Sequence, residues 1–176
     1  MAVERDYLSR MAIKEGWTGR VYEDFEVGDI YPHPLGRTVL PVDNSWFTLL
    51  TQNMNPIHFD HAYAAQTEFG KPLVDSTFTL ALVTGQSVID LSLNVMANLG
   101  WDEVRLPNPL FEGDTVYSKS EVLEKRDSKS RPTVGIVREF HRVIQEPVVQ
   151  PSFPATARLP STTCLPPPLC PQPAHR

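Results

Sequence analysis

Cysteine is nearly absent from this 176-residue chain, and its two copies, Cys164 and Cys170, both fall close to the C-terminus. The body of the chain therefore has no disulfide framework and no Cys-x-x-Cys metal spacing, and no metal site is expected. Positive charge is also scarce. Sixteen Lys and Arg stand against 21 Asp and Glu, for a net charge of −5 without a basic tract. Nucleic acid is excluded as an expected partner, because its binding rests on phosphate neutralisation. No apolar run reaches the roughly 20 residues that a membrane span needs, so no membrane partner is expected. The opening Met1 to Asp6 carries acids and lacks the apolar stretch of a signal peptide. A cytoplasmic protein is the expectation.

What is present is ordinary for a globular protein: 41% hydrophobic and 21% charged residues, in a length that suits one domain with a real core. The exception is proline. Eight of the 17 prolines lie between Pro151 and Arg176, a stretch without Asp, Glu, Lys or Gly. Such a segment lacks both apolar periodicity and the backbone donors of a sheet ladder. The reading is a domain over residues 1–147 and a Pro-rich, disordered tail over 148–176. Leu165 to Leu169 also reads as a polyproline ligand, and the tail as a stretch from an altered reading frame.

Within the domain, residues 1–20 predict a short helix with Tyr7, Met11 and Ile13 as apolar positions. Residues 37–41 predict a first strand. A helix over 44–52 follows, capped by Asp43 or Asn44, with Trp46, Phe47, Leu49 and Leu50 as its buried stripe. Asp60 caps a short helix over 61–67. Ser76 to Leu91 is apolar nearly all round, which marks a buried helix. Gly85 inside it costs helix stability, and close packing against a sheet would explain it. After Gly100 the period becomes that of strands: one opened by Trp101, Val104 and Leu106, one over 114–125, one over 132–144. Strands after a long helix give an α+β fold, with the helix laid on an antiparallel sheet.

Asn53-Met54-Asn55-Pro56-Ile57-His58-Phe59-Asp60 is the segment richest in chemistry. Asn55-Pro56 is a turn signal that can hold the next ring in one orientation, and His58 can exchange a proton near neutral pH. Alone, the same residues also describe an ordinary loop histidine. In order along the chain stand Tyr22 to Asp29, Gly36 to Val39, this segment, Phe69 to Val74, Leu80 to Gly85, Asn108 to Thr115 and Ser128 to Pro132. Together they resemble the MaoC-like dehydratase family, which includes R-specific enoyl-CoA hydratases, over roughly residues 20–137. They are most similar to the branch acting on mesaconyl-CoA or methylmalyl-CoA.

The resemblance implies a hotdog fold, here with no candidate for its last strand. It also implies reversible hydration of an α,β-unsaturated acyl-CoA with a short branched or dicarboxylic acyl group. No cofactor is implied beyond the coenzyme A thioester as substrate, and the expected partner is a second copy, as a homodimer or larger homo-oligomer. In the family, Asp-x-Asn-Pro-x-His grips a water. His58 and Asn55 match that pattern, but Asn53 stands in place of Asp, and an amide cannot accept a proton at neutral pH. His58 is then the acid/base, Asn53 positions the water, and Asn55 fixes the loop. Many hydratases carry His-Gly where this chain has Asp75-Ser76. Ser76 or Thr77 would supply the backbone oxyanion donor at a helix N-terminus. Asp75 reads as an N-cap or as a replacement carboxylate.

A hotdog thioesterase and a non-catalytic acyl-CoA-binding homologue stand as alternatives. His61 reads as a first-turn helix residue, His33 as a loop residue, and His141 has no assigned role. Arg105, Lys125, Lys129 and Arg131 read either as a solvated charged loop or as phosphate ligands for coenzyme A.

Overall fold

The computed structural model describes residues 14–146, and residues 158–165 as backbone. Its elements are β1 (Ile30–Pro32), β2 (Arg37–Thr38), α1 (Pro41–Thr51), α2 (His61–Ala64), α3 (Ser76–Ser87), β3 (Ala97–Trp101), β4 (Thr115–Asp127), β5 (Gly135–Glu146) and β6 (Arg158–Leu165). A π-helical turn at Val88–Ser92 continues α3, and 3-10 turns stand at Tyr22–Asp24 and Pro56–His58. The strands form one antiparallel sheet in the order β1-β4-β5-β6-β3, with β2 also on β4. The long helix lies on that sheet, as the α+β reading predicts.

The sheet does not lack its last strand. β6 pairs with β5 from Gly135↔Leu165 to Arg142↔Arg158, and with β3 from Ala97↔Cys164 to Trp101↔Ser161. The proline count argued against a strand here. Without β6, however, the inner edge of the long β5 would be open, and tertiary pairing overrides local propensity. The rest of the stretch read as a loose tail, 147–157 and 166–176, lies outside the described residues. β1 went unread because it is three residues long. It ends at Pro32, whose missing N–H suits the sheet edge that β1 forms.

Residues 1–13 of the expected N-terminal helix also lie outside the described residues, and 14–20 form no helix. That segment is strapped to the end of the central helix instead. Trp17 Nε1 donates to Ile89 O at 2.9 Å, an Arg20 guanidinium nitrogen to Asp90 O at 2.7 Å, and Asn94 Nδ2 to Thr18 O at 2.9 Å. Carbonyls at a helix end have no partner within the helix and take outside donors.

Helix α1 starts at Pro41, ahead of the expected 44, since Pro at the first helical position gives up no hydrogen bond. Asp43 is not the cap. It sits one turn in, and its Oδ2 accepts Leu40 N at 2.9 Å while Arg37 grips both its oxygens. The apolar stripe is turned over. Phe47 meets the Phe78 ring, with centroids 5.3 Å apart, but Trp46, Leu49 and Leu50 are 64, 75 and 74% exposed. Asn44 and Thr48 are the buried members.

Helix α3 is not buried all round. Thr79, Val83 and Ser87 face inward, while Ala81, Gly85 and Ile89 face outward. A Cβ at Gly85 would meet nothing within 4 Å, so close packing does not explain that glycine. It opens onto a trough of about 540 Å³ whose lining includes Phe47, Phe78, Ala81 and Ile89.

The inward face of β4 reads Val116, Ser118, Ser120, Val122, and that of β5 reads Val143, His141, Glu139, Val137. Each is apolar at its ends and polar in the middle. One core cluster, with Val39, Val74, Val83, Leu110, Val116 and Val143, surrounds the start of α3. A second, with Phe25, Leu91, Val122 and Val137, surrounds its end. Between them runs a polar belt. His33 is therefore no loop residue: its Nδ1 meets Asp90 Oδ2 at 2.9 Å and its Nε2 meets Ser120 Oγ at 2.8 Å. His141 Nδ1 shares the same hydroxyl at 2.5 Å. Burial, reinforced by the adjacent His33, pushes the His141 ring down to about 4, so it stays neutral near pH 7.

Candidate active site

Four of the five residues singled out by sequence meet in one place, at the N-terminus of α3. His58, Asn53, Asp75 and Ser76, with Phe47 and Thr77, line a pocket of about 580 Å³. The fifth, Asn55, does not line it. Asn55 is exposed, and its Oδ1 accepts Ile57 N at 3.2 Å. It shapes the turn from Pro56 to His58.

The local chain explains this convergence. Helix α1 ends with Gln52 in the left-handed region at φ 58°, and Asn53 N returns to Thr48 O at 2.9 Å. Asn53 Oδ1 accepts Asn55 N at 3.2 Å, so its Nδ2 points away and donates to Asp75 Oδ2 at 2.6 Å. The Pro56 turn then delivers His58, which is 7% exposed. Asp60 caps α2 as expected, accepting Tyr63 N at 3.0 Å. The extended pair Leu73-Val74 runs back between two segments: Leu73 N donates to Ile57 O at 3.1 Å and Val74 N to Leu110 O at 2.9 Å.

The His58 ring is oriented by a backbone carbonyl. Nδ1 lies 2.7 Å from Leu73 O, which can only accept, so Nδ1 carries the proton. The neutral ring then keeps its lone pair on Nε2. A lone pair on a held, largely buried ring beside a pocket is what a general base needs.

Asp75 is an N-cap. Its Oδ1 accepts Thr77 N at 2.7 Å, Phe78 N at 3.3 Å and Thr77 Oγ1 at 2.5 Å, while Oδ2 takes Asn53. Burial alone would raise its pKa. The Thr77 hydroxyl, the Asn53 amide and the helix N–H groups outweigh burial and hold the carboxyl below its ordinary value of 3.8. A carboxylate so occupied is a poor proton acceptor. The cap consumes the amides of Thr77 and Phe78, and Thr79 N goes to Asp75 O at 3.1 Å. The Ser76 N–H is the first-turn amide that no described group accepts.

Ser76 also lines a second pocket of about 290 Å³ with Phe69, Leu73, Thr79, Asn108, Pro109 and Leu110. The helix N-terminus thus stands between two recesses, and Asn108 to Leu110 line the smaller one. Among the candidate phosphate ligands, Lys125 Nζ is tied to Phe25 O at 2.8 Å and Arg131 meets Met96 Sδ at 2.8 Å; none of the four lines either recess. His61 is exposed and lies 3.9 Å from Glu112. Among the described residues, no group of three His, Cys, Asp or Glu is placed to hold a metal, and no helix is long and apolar enough to cross a membrane.

Residues 24–143 match the family model for the MaoC like domain. The chain belongs to that family. It is 31% identical to a mesaconyl-CoA hydratase of Cereibacter sphaeroides over 119 residues, 68% of this chain and 34% of that one. It is 30% identical to a beta-methylmalyl-CoA dehydratase of Chloroflexus aurantiacus, with the same shares covered. The chain therefore spans about a third of the length of these two curated relatives. A protein of Mycobacterium tuberculosis with a double hotdog fold superposes with a TM-score of 0.75 at 20% identity, over 90% of this chain and 46% of that one. The fold is the hotdog fold.

Two outcomes follow from the Asp75 cluster. The folded carboxyl titrates below its unfolded value of 3.8, so its stabilising share is complete above that value and is lost as pH falls through the folded pKa. Asp75→Asn keeps a cap but loses the charge-assisted bonds. In urea unfolding, wild type should exceed this variant by about 1 kcal/mol near neutrality. The margin should shrink as pH falls below 3.8 and vanish once the folded carboxyl is protonated, and one that stays constant from neutrality to acid contradicts the assignment. Separately, Asn53→Asp sets two carboxylates face to face and should cost about 1–3 kcal/mol. Adding Asp75→Asn restores an amide–carboxylate pair with its polarity reversed and should recover most of the loss. Simple additivity in this double-mutant cycle contradicts direct coupling.

Proposed function

We propose that this domain adds water reversibly across the α,β double bond of a short-chain acyl-CoA thioester. The observation that carries the reading is the His58 ring, held by Leu73 O with Nε2 left as acceptor, in one pocket with the Ser76 amide. In hydration, Nε2 takes a proton from water as the water oxygen bonds to Cβ. The π electrons move onto Cα and the thioester oxygen, where a free N–H at a helix N-terminus supports the developing charge. Cα then takes a proton, and His58 is the group able to return it. Asn53 spends one N–H on Asp75 and one lone pair on Asn55 N. Its second N–H and second lone pair remain to orient the water.

The acyl group proposed is a short branched or dicarboxylic one. Two observations support it: the recess beyond Ser76 is small, about 290 Å³, and the two relatives are named for mesaconyl-CoA and beta-methylmalyl-CoA. His58→Ala should lower the rate of loss of enoyl absorbance by 10²-fold or more, with no free thiol released by wild type. An unchanged rate ends the role of His58. Thiol release without hydration favours a thioesterase.

The proposed partner is a second copy of this chain. The outward Trp46, Leu49 and Leu50, with Met54 at 78% exposure, form an apolar face of the kind that marks an interface. The chain also covers 46% of a double-hotdog protein. Leu49→Asp should shift sedimentation from dimer to monomer, and a dimer unchanged by it points to another face.

A further inference from the structure

We infer that Asn44 is the positioning residue of this site, the group that sets both the orientation of His58 and its spacing from the Ser76 amide. Asn44 is fully buried on the inward side of α1, where the sequence pattern offered it only as a cap. A single amide there serves three backbone segments. Its Nδ2 donates to His58 O at 2.6 Å and to Leu73 O at 3.1 Å, and its Oδ1 accepts Asp75 N at 3.0 Å. An amide has two N–H groups, so both donors are spent, one on each carbonyl.

Those three segments are the parts of the proposed reaction site. His58 carries the ring. Leu73 O holds the proton on the Nδ1 of that ring. Asp75 begins α3 and fixes where the Ser76 N–H stands. Leu73 O therefore accepts from two donors, His58 Nδ1 and Asn44 Nδ2, and the Asn44 bond holds this carbonyl in place for the ring. No other described side chain bonds to all three segments. The role rests on the hydratase reading but differs from it in kind. Asn44 lines neither recess of the site, and acts only through His58, Leu73 and the helix start.

Asn44→Asp and Asn44→Ser provide the test, each compared with wild type for its fold, kinetics and His58 tautomer. Asp keeps an acceptor for Asp75 N and removes both donors; Ser keeps one donor at shorter reach. Both should lower kcat on the order of 10²-fold, with KM within about 3-fold, and should change the pH profile of kcat. Two-bond 1H–15N correlations on 15N-histidine protein, with the ring assigned by His58→Ala, should show Nδ1-protonated His58 in wild type and a mixed tautomer in the variants. A lower melting temperature with kcat, KM and tautomer unchanged makes Asn44 a packing residue and overturns the inference. So does Nε2-protonated His58 in wild type, or failure of both variants to fold. If wild type hydrates no enoyl-CoA, the functional proposal fails, while the tautomer comparison still decides the role of Asn44.

Discussion

The carbonyl of Leu73 accepts the Nδ1 proton of His58 at 2.7 Å, and that bond decides which ring nitrogen keeps its lone pair. Much of the remaining architecture serves to hold this carbonyl still. Leu73 N is bonded to Ile57 O, so the same residue is fastened to the His58 loop through its amide and its carbonyl. Val74 N is bonded to Leu110 O on the other side. A one-residue slip of this short extended segment would turn both bonds to the wrong face. The segment is anchored by Val74, which is buried in the core cluster around the start of α3. Packing of an apolar side chain thus determines the protonation geometry of an imidazole.

The opposite end of α3 carries a second set of titratable groups that looks reactive and is not. Asp90, His33 and Ser120 stand in the order acid, imidazole, hydroxyl, at 2.9 and 2.8 Å, as a nucleophile triad would. Yet Ser120 is 1% exposed, and its hydroxyl is also shared with His141. A nucleophile that substrate cannot reach does no chemistry. The belt instead satisfies buried polar groups and holds the π turn and the N-terminal strap through Asp90, which Arg20 also grips. Buried polar groups of this kind are costly unless every one is partnered. The interlocking of His33, Ser120 and His141 meets that condition.

The sequence made the long helix, the strands over 115–127 and 135–146 and the position of His58 legible, because each is a local signal. A turn at Asn55-Pro56, a cap at Asp75 and strands with alternating inward positions can be read from neighbouring residues. What could not be read depends on contacts far along the chain. β6 exists because β5 and β3 need a strand between them, and the prolines in and around it pointed the other way. The apolar stripe of α1 pointed to burial, but periodicity shows that a face is apolar and not what covers it. Asn44 was legible only as a possible cap. Its partners at positions 58, 73 and 75 are separated from it by 14 to 31 residues.

The exchange of amide and carboxylate at positions 53 and 75 follows from electrostatics. Two charged oxygens as close as Asn53 Nδ2 and Asp75 Oδ2, 2.6 Å, would repel by on the order of 6 kcal/mol at an effective dielectric of about 20 while both stayed ionised, and protonation of one would hold the net cost lower. Once Asp75 is charged, position 53 must donate, and an amide does so without a proton to lose. The cost falls on the helix N-terminus, because a carboxylate there opposes a developing enolate nearby. Four donors reduce that cost: the Thr77 amide and hydroxyl, the Phe78 amide and the Asn53 amide all point at the carboxylate. Each partly neutralises the carboxylate and so weakens its field. In the proposed reaction, the thioester oxygen would therefore meet a muted anion and one unshared N–H, that of Ser76, and proton traffic would pass through a single imidazole.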